Sequence, residues 1–469
     1  MRLVAFLKKM EELNNSTAPS APEADGVPAE PDVLQPGGGD TKKSDIPEKV
    51  PKSVKKKSGK PEKQKKEPFL KDRKTKIRFV LFIIAVIVAV TSITYGVVQI
   101  GHKEPGYHTI ELELDDSVPY YSNGVTFSHY FDGSSDEIKA ALKYATGEYT
   151  FAMKESFRLL DGVNTYDVTP GNIAALNKSG GEKIKVGSTL YSVLKDAYSK
   201  TLEQKGFNMF AGPYYALWQE LLYNFDGAGF DPLVDSDEFE LIEKFSKLVN
   251  DIGSFELTFD DTAQTVSFKA PAELKALLED YGMNYPIIDL NVMYDAYRLE
   301  MVADMLETAG LDAGYLADES GVTVALSKNF GIKYIYYTLV DDVPRLTAVQ
   351  DGGPGSAASY FRARPLSDDE VGFYTVQGVY RHPYLTAYGH SPLIASSLVE
   401  SDNASVVDVC YLNVCLNACK DESAAAALVM SNPGFRFYAT FLSDDKTLYY
   451  GNTENVNYDY TIGVSIKKF

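Results

Sequence analysis

The chain has 469 residues and a formal net charge of −19, spread unevenly, with a Lys-rich run over Lys42–Arg78 and a strongly acidic part beyond it. A domain that acidic repels nucleic acid and anionic lipid, which excludes DNA or RNA binding for it. Three cysteines, all within Cys410–Cys419, are too few and too close together for a disulfide framework.

In chain order, Met1–Met10 (MRLVAFLKKM) has the makings of a short amphipathic helix, although a frayed tail is the simpler reading. Asn14–Gly39 is rich in Pro, Ala, Gly and acids, and Thr41–Lys76 in Lys and Pro. Neither has apolar periodicity, and neither buries enough surface to offset its ordering entropy. Residues 1–76 are therefore expected to be a disordered cytoplasmic tail, with the Lys-rich run against anionic headgroups. Next comes Phe79–Ile100, FVLFIIAVIVAVTSITYGVVQI, without a charge. As a helix it covers roughly 33 Å, enough for a bilayer's hydrocarbon core. A buried core helix of that length would keep a polar face, and this stretch has none. Lys71, Arg73, Lys74, Lys76 and Arg78 crowd the entry side. The positive-inside rule therefore keeps the N-terminus in the cytoplasm and sends the C-terminal part across. About 75 residues precede the apolar run and no small-x-small site closes it, which argues for a signal anchor over 77–100 rather than a cleaved leader. Residues 104–469 are then an extracytoplasmic domain, and one without disulfides points to a bacterial or archaeal surface.

That domain opens with alternation over His108–Leu114, a strand with Ile110, Leu112 and Leu114 on one face. Ser134-Ser-Asp-Glu137 resembles a capping box opening a helix towards Leu160. A polar connector, Asp161–Gly181, follows. Ser188–Lys205 carries Leu190, Val193, Leu194, Ala197 and Tyr198 at helical spacing and stops at Gly206. Gly212–Tyr223 and Glu238–Asn250 read as further helices. Phe255–Phe259 and Thr265–Phe268 read as a hairpin around Asp260–Gln264. Pro271 suits the first turn of a helix ending near Gly282. Asn291–Gly310 is a long helix whose Met293, Tyr297, Met301 and Met305 stripe reads as core. Strands are predicted at Gly321–Leu326 and Ile332–Leu339, a Gly-rich loop at Asp351–Ser356 and a strand at Phe373–Tyr380. A helix over Ser405–Lys420 and a closing hairpin, Phe435–Leu442 with Thr447–Tyr450, complete the chain. Helices and strands mix without a βαβ rhythm, so the expected class is α+β.

Single motifs carry little chemistry. There is no P-loop, HExxH, GxSxG or GxGxxG. Cys410, Cys415 and Cys419 fall within the predicted helix, but only the last two share a face, which favours small core residues over a metal site. Gly352-Gly353-Pro354-Gly355 has no following Lys or helix start, so it reads as a plain loop.

Several stretches taken together say more. Leu176-Asn177, Gly180-Gly181, Val186, Leu190 and Ala197 lead into Gly206-Phe207-Asn208 and Gly212-Pro213-Tyr-Tyr-Ala-Leu217-Trp218. This order resembles the FAD:protein FMN transferase (ApbE) family, where an LN…GG…V segment precedes a GAFDPTVGPL…LW stretch. Ile288-Asp289-Leu290-Asn-Val-Met-Tyr-Asp295-Ala296-Tyr297 stands where the family has LDLGGIAKGY, and Ala303–Asp312 where it has AAELLKEAGVD. Arg381-His382-Pro-Tyr-Leu385-Thr-Ala-Tyr388-Gly389-His-Ser-Pro392 resembles HHIIDPKTGYP. Ser396–Leu416 resembles SVTV…ADALATAL. The resemblance covers most of residues 105–469 and implies a T-fold-like domain that splits FAD, transfers FMN to a Thr of an extracytoplasmic redox protein and releases AMP. It implies Mg2+ across the phosphates, with Asp408 as its ligand, His382 beside the phosphates as the catalytic position, and Asn177, Tyr388 and Gly389 against the flavin nucleotide. The departures are as specific as the matches. Leu412 replaces the Thr that helps bind the ion, Leu385 the acid of HHIIDP, Asp295 the Lys of AKGY, and Asn208 the Asp of GAFDP. A leucine has no oxygen for magnesium and an aspartate cannot imitate a lysine facing phosphate. Impaired transfer is expected, and a non-catalytic module binding flavin or a partner protein is the alternative.

Overall fold

In the computed structural model, residues 102–113, 124–167, 171–224, 236–328, 332–340, 343–365, 372–376, 379–391, 393–454, 456–458 and 463–469 are described. The tail over 1–76 and the apolar stretch Phe79–Ile100 lie outside the described residues. Among the described residues no helix is long and apolar enough to cross a membrane.

The domain begins with strands β1 (Gly106–Ile110) and β2 (Val125–Phe131) and helix α1 (Ser135–Leu160). The expected capping box opens α1: Glu137 accepts from the Ser134 backbone N–H at 2.8 Å and from its hydroxyl at 2.7 Å. Ile138, Tyr149, Met153 and Leu160 form the buried face of α1, each contributing about 1.5–3 kcal/mol by leaving water. The short helix α2 (Ile173–Lys178), capped by Asn172, interrupts what the sequence suggests is a connector. Then come β3 (Lys183–Lys185), α3 (Ser188–Leu202), α4 (Gly212–Asn224), α5 (Ser236–Asn250), β4 (Glu256–Asp260), β5 (Thr265–Lys269) and α6 (Ala272–Asp280). The β4–β5 hairpin and β3 form a small three-stranded sheet. A 3-10 turn over Asn291–Met293 leads into α7 (Tyr294–Thr308); of the predicted stripe, Met293, Tyr297 and Met301 are buried and Met305 is partly buried.

Past α7 the chain is mostly sheet: β6 (Gly314–Asp318), β7 (Val322–Ala325), β8 (Ile332–Val340), β9 (Val343–Gly352), β10 (Ala357–Arg362), β11 (Tyr374–Val376), β12 (Val379–Arg381) and β13 (Ile394–Ser401). Helices α8 (Val406–Asn417) and α9 (Glu422–Ser431) and strands β14 (Arg436–Phe441), β15 (Asp444–Gly451) and β16 (Ser465–Lys468) close it. The single strand expected over Phe373–Tyr380 is the small β11–β12 hairpin.

A nine-stranded sheet in the order β1-β2-β6-β7-β10-β13-β14-β15-β16 organises the domain. It is antiparallel except at β15–β16, which is parallel. The two-residue period of the strands divides its side chains between two cores. Ala357, Phe361, Val399 and Phe437 face the main core with α1, α7 and α8. Ala358, Leu398, Tyr438 and Leu448 face the β8–β9 hairpin, packing on Tyr334 and Tyr336. The α+β expectation matches this arrangement of helices on one face of a largely antiparallel sheet.

Candidate functional site

Helix α8 starts at Ser405, whose hydroxyl accepts from the Asp408 N–H at 3.0 Å. That cap places the Asp408 carboxylate in the first helical turn, half-exposed, where the helix dipole favours negative charge. Its partner is Lys200 from the last turn of α3, with Nζ 2.9 Å from Asp408 Oδ1 and 2.8 Å from Asp196 Oδ1. The Tyr297 hydroxyl donates to the other Asp196 oxygen at 2.7 Å, and the Tyr411 ring lies 5.4 Å from the ammonium. Burial alone would lower the Lys200 pKa, but the two carboxylates more than offset it and hold it above the ordinary lysine value. On the adjoining turn Glu300 accepts from the Val407 N–H at 3.3 Å.

Asp408 also borders a cavity of about 530 Å3 whose walls include Tyr388, Tyr411, Leu412, Cys415 and Phe435. That volume lies within the range of small-molecule sites. Tyr388 is half-exposed and its hydroxyl donates to the Gln204 carbonyl at 2.7 Å. Gly389, with φ +106°, closes a turn in which Thr386 and Gly389 exchange backbone hydrogen bonds at 3.0 Å. A second cavity, about 660 Å3, lies between α1 and α7 and borders none of the five sequence-predicted site residues.

The other two candidates sit elsewhere. Asn177 Nδ2 donates to the carbonyls of Gly162 at 3.1 Å and Ile288 at 3.0 Å, and Oδ1 accepts from the Ile288 N–H at 2.8 Å. Its amide clamps backbone. His382 is buried, stacked on His390 at 4.1 Å and edge-on to Phe361 at 5.4 Å, while its carbonyl accepts from Trp218 Nε1 at 3.1 Å. Burial, then the Arg381 charge, pushes the imidazole down to about 3, so it is neutral at physiological pH. Thus Asp408 and Tyr388 share a cavity, and Gly389 shapes the turn beside Tyr388. Asn177 and His382 are placed within packed junctions.

The donors around Asp408 do not fit magnesium, which takes six oxygen ligands in near-octahedral array. An ammonium occupies one carboxylate oxygen, and Leu412, one turn further on, offers only methyl groups. Among the described residues no group of three or more His, Cys, Asp or Glu is arranged to hold a metal.

The sequence reading missed two features. Lys200 falls on the spacing of Leu190, Val193 and Ala197, so it points inward; a lysine on an apolar stripe was the available signal. An acidic group at the start of α7 was the other. Burial raises the carboxyl pKa values of Asp289 and Asp295, and burial together with Asp295 raises Asp318 to about 7. Cys410 lies near this group, its thiol pushed up to about 12 by burial and 3.8 Å from the Val292 carbonyl. All three cysteines are free thiols, Cys410 and Cys415 buried as small core residues.

No protein-family model matches the sequence, and no curated protein does. Among solved structures, the chain is similar to the flavin transferase ApbE of Vibrio cholerae at 15% identity over 76% of this chain and 97% of that one, TM-score 0.49. It is similar to the ApbE protein of Thermotoga maritima at 15% identity over 76% and 97%, TM-score 0.49. It is likewise similar to the Pseudomonas stutzeri flavinyl transferase ApbE, apo form, at 14% identity over 72% and 92%, TM-score 0.46.

Proposed function

We propose that residues 104–469 form an ApbE-like module that binds a flavin nucleotide outside the cell membrane without transferring FMN. The anchor is the stretch 77–100, and the basic residues before it orient the module outward. The observation that carries the reading is the cavity of about 530 Å3 on which Tyr388 and Asp408 stand together, two positions matched to the flavin and metal sites by the sequence resemblance. Against transfer stand the Lys200 ammonium on Asp408, Leu412 one turn away and the carboxylate Asp295 where a lysine would meet phosphate. Phosphoryl transfer depends on neutralising charge at the phosphates; the Lys200 charge is taken up by Asp196 and Asp408, and Leu412 and Asp295 supply none.

The test uses the full chain in detergent micelles with FAD, with and without magnesium. FAD is expected to raise the thermal midpoint, a ligand at 100 times its Kd contributing about 2.7 kcal/mol. AMP is expected to stay at background. Release of AMP that Asp408→Ala abolishes would overturn the non-catalytic reading. A midpoint unmoved by FAD would overturn the flavin role.

A further inference from the structure

A cation is already present beside Asp408, and the chain supplies it. The Lys200 side chain is 9% exposed, and its ammonium sits between carboxylates from two different helices, Asp196 of α3 and Asp408 of α8. The arrangement is built on both sides. The Tyr297 hydroxyl holds the second Asp196 oxygen at 2.7 Å, the Ser405 cap fixes the start of α8, and the Tyr411 hydroxyl donates to the Lys200 carbonyl at 3.3 Å. Glu300 adds a third acid at the same helix start, its carboxylate on the Val407 N–H. Acids drawn together this closely require positive charge among them, because like charges in a partly desolvated setting repel strongly.

We propose that Lys200 Nζ is the resident cation of this site, holding Asp196 and Asp408 together as a divalent ion would. The site is therefore metal-independent. A bound divalent ion would have to displace the ammonium or sit against it, and Leu412 provides no oxygen to compensate. The lysine also ties the C-terminal end of α3 to the N-terminal end of α8, fixing one wall of the adjacent cavity. This inference concerns the cation and holds whether or not a flavin occupies that cavity.

Mn2+ is the probe, followed by the electron paramagnetic resonance signal of the free ion during titration of the full chain in detergent micelles. Wild type and Asp408→Ala are expected to bind the same number of ions, so that no binding depends on Asp408. Lys200→Met is expected to gain one Mn2+ per chain, and the double variant Lys200→Met with Asp408→Ala to lose it again. Lys200→Arg keeps the charge and gains none. Binding in wild type that Asp408→Ala removes would overturn the proposal. So would a folded Lys200→Met protein, verified by circular dichroism, that gains no ion. Should Lys200→Met fail to fold, the comparison of wild type with Asp408→Ala decides alone. Because no FAD is present, these outcomes are separate from those of the flavin-binding test.

Discussion

Asn177 offers the sharpest separation of a structural role from a nucleotide-binding one. Its side chain makes three hydrogen bonds to backbone, two of them to the same residue, Ile288. Ile288 is fully buried and immediately precedes Asp289, whose carboxylate accepts from the N–H of Asn291 at the turn into α7. Asn177→Ala leaves the Ile288 N–H and two carbonyls without these partners. At about 1 kcal/mol net for each bond, and up to about 3 for a buried group left unpaired, the expected loss is about 2–4 kcal/mol. Asn177→Asp keeps the acceptor for the Ile288 N–H but loses both donations, so it should lose nearly as much. The assay is urea unfolding of the full chain in micelles, followed by FAD titration of the folded variant. A change below about 0.5 kcal/mol, the range of ordinary surface substitutions, together with a tenfold or greater loss of FAD affinity, would refute the clamp and assign the amide to the nucleotide.

Three further outcomes follow from the same interior. His382 is neutral in the fold, with its pKa depressed from 6.5 to about 3. The unfolded chain takes up a proton below pH 6.5 and the folded one does not, so this contribution is present above 6.5 and is lost progressively as pH falls towards 3. At pH 5 the loss is about 2 kcal/mol, and His382→Asn should flatten the acid limb of a stability–pH curve by that amount. Gly321 has φ +96°, and a Cβ there would lie 2.6 Å from the Tyr360 carbonyl. Gly321→Ala is therefore expected to cost about 2 kcal/mol or more from backbone strain, measured as a lowered thermal midpoint. Trp218→Phe keeps most of the apolar bulk but removes the donation to the His382 carbonyl; a loss of about 1–3 kcal/mol is expected in urea unfolding.

Much of the fold was legible where local chemistry and burial agree. The Ser134–Glu137 box, the β4–β5 hairpin and the α7 methionine stripe are of that kind, since each is set by residues close in sequence. Two strands that escaped notice, β13 and β2, carry polar residues inside. β13, IASSLVES, is buried throughout, yet Ser396 and Ser397 break any apolar run. Their hydroxyls are paired with Thr440 at 2.9 Å and Asn413 at 2.6 Å, contacts that exist only once the sheet and α8 are assembled. β2 is similar, with Ser128 and His129 buried among Phe127 and Phe131. At its start the domain departs from expectation in the opposite way. The alternation over His108–Leu114 suggests a longer strand, but among the described residues of this stretch, which end at Glu113 before Leu114, pairing stops at Ile110, and the Glu113 N–H turns to the Thr150 hydroxyl of α1 at 2.9 Å. In the candidate site, Asp408 was legible as an acid near a helix start. Its partner was not, because the pairing spans more than 200 residues and depends on how α3 meets α8.

The order of strands in the large sheet has a consequence for self-association. Among the described residues the nine strands do not close into a barrel, so the sheet ends in two rim strands, and a rim strand is a row of backbone donors and acceptors able to template pairing. At one rim stands β1, only five residues long. At the other, β16 pairs in parallel with Thr447–Tyr450 and presents four exposed residues, among them Lys467 and Lys468. Shortness guards the first rim and positive charge the second. Without β16, the outer edge of β15 would be bare along Leu448, Tyr449 and Tyr450, an aromatic strand suited to edge-to-edge pairing. The small parallel strand thus covers an aromatic strand edge of the kind that templates edge-to-edge pairing.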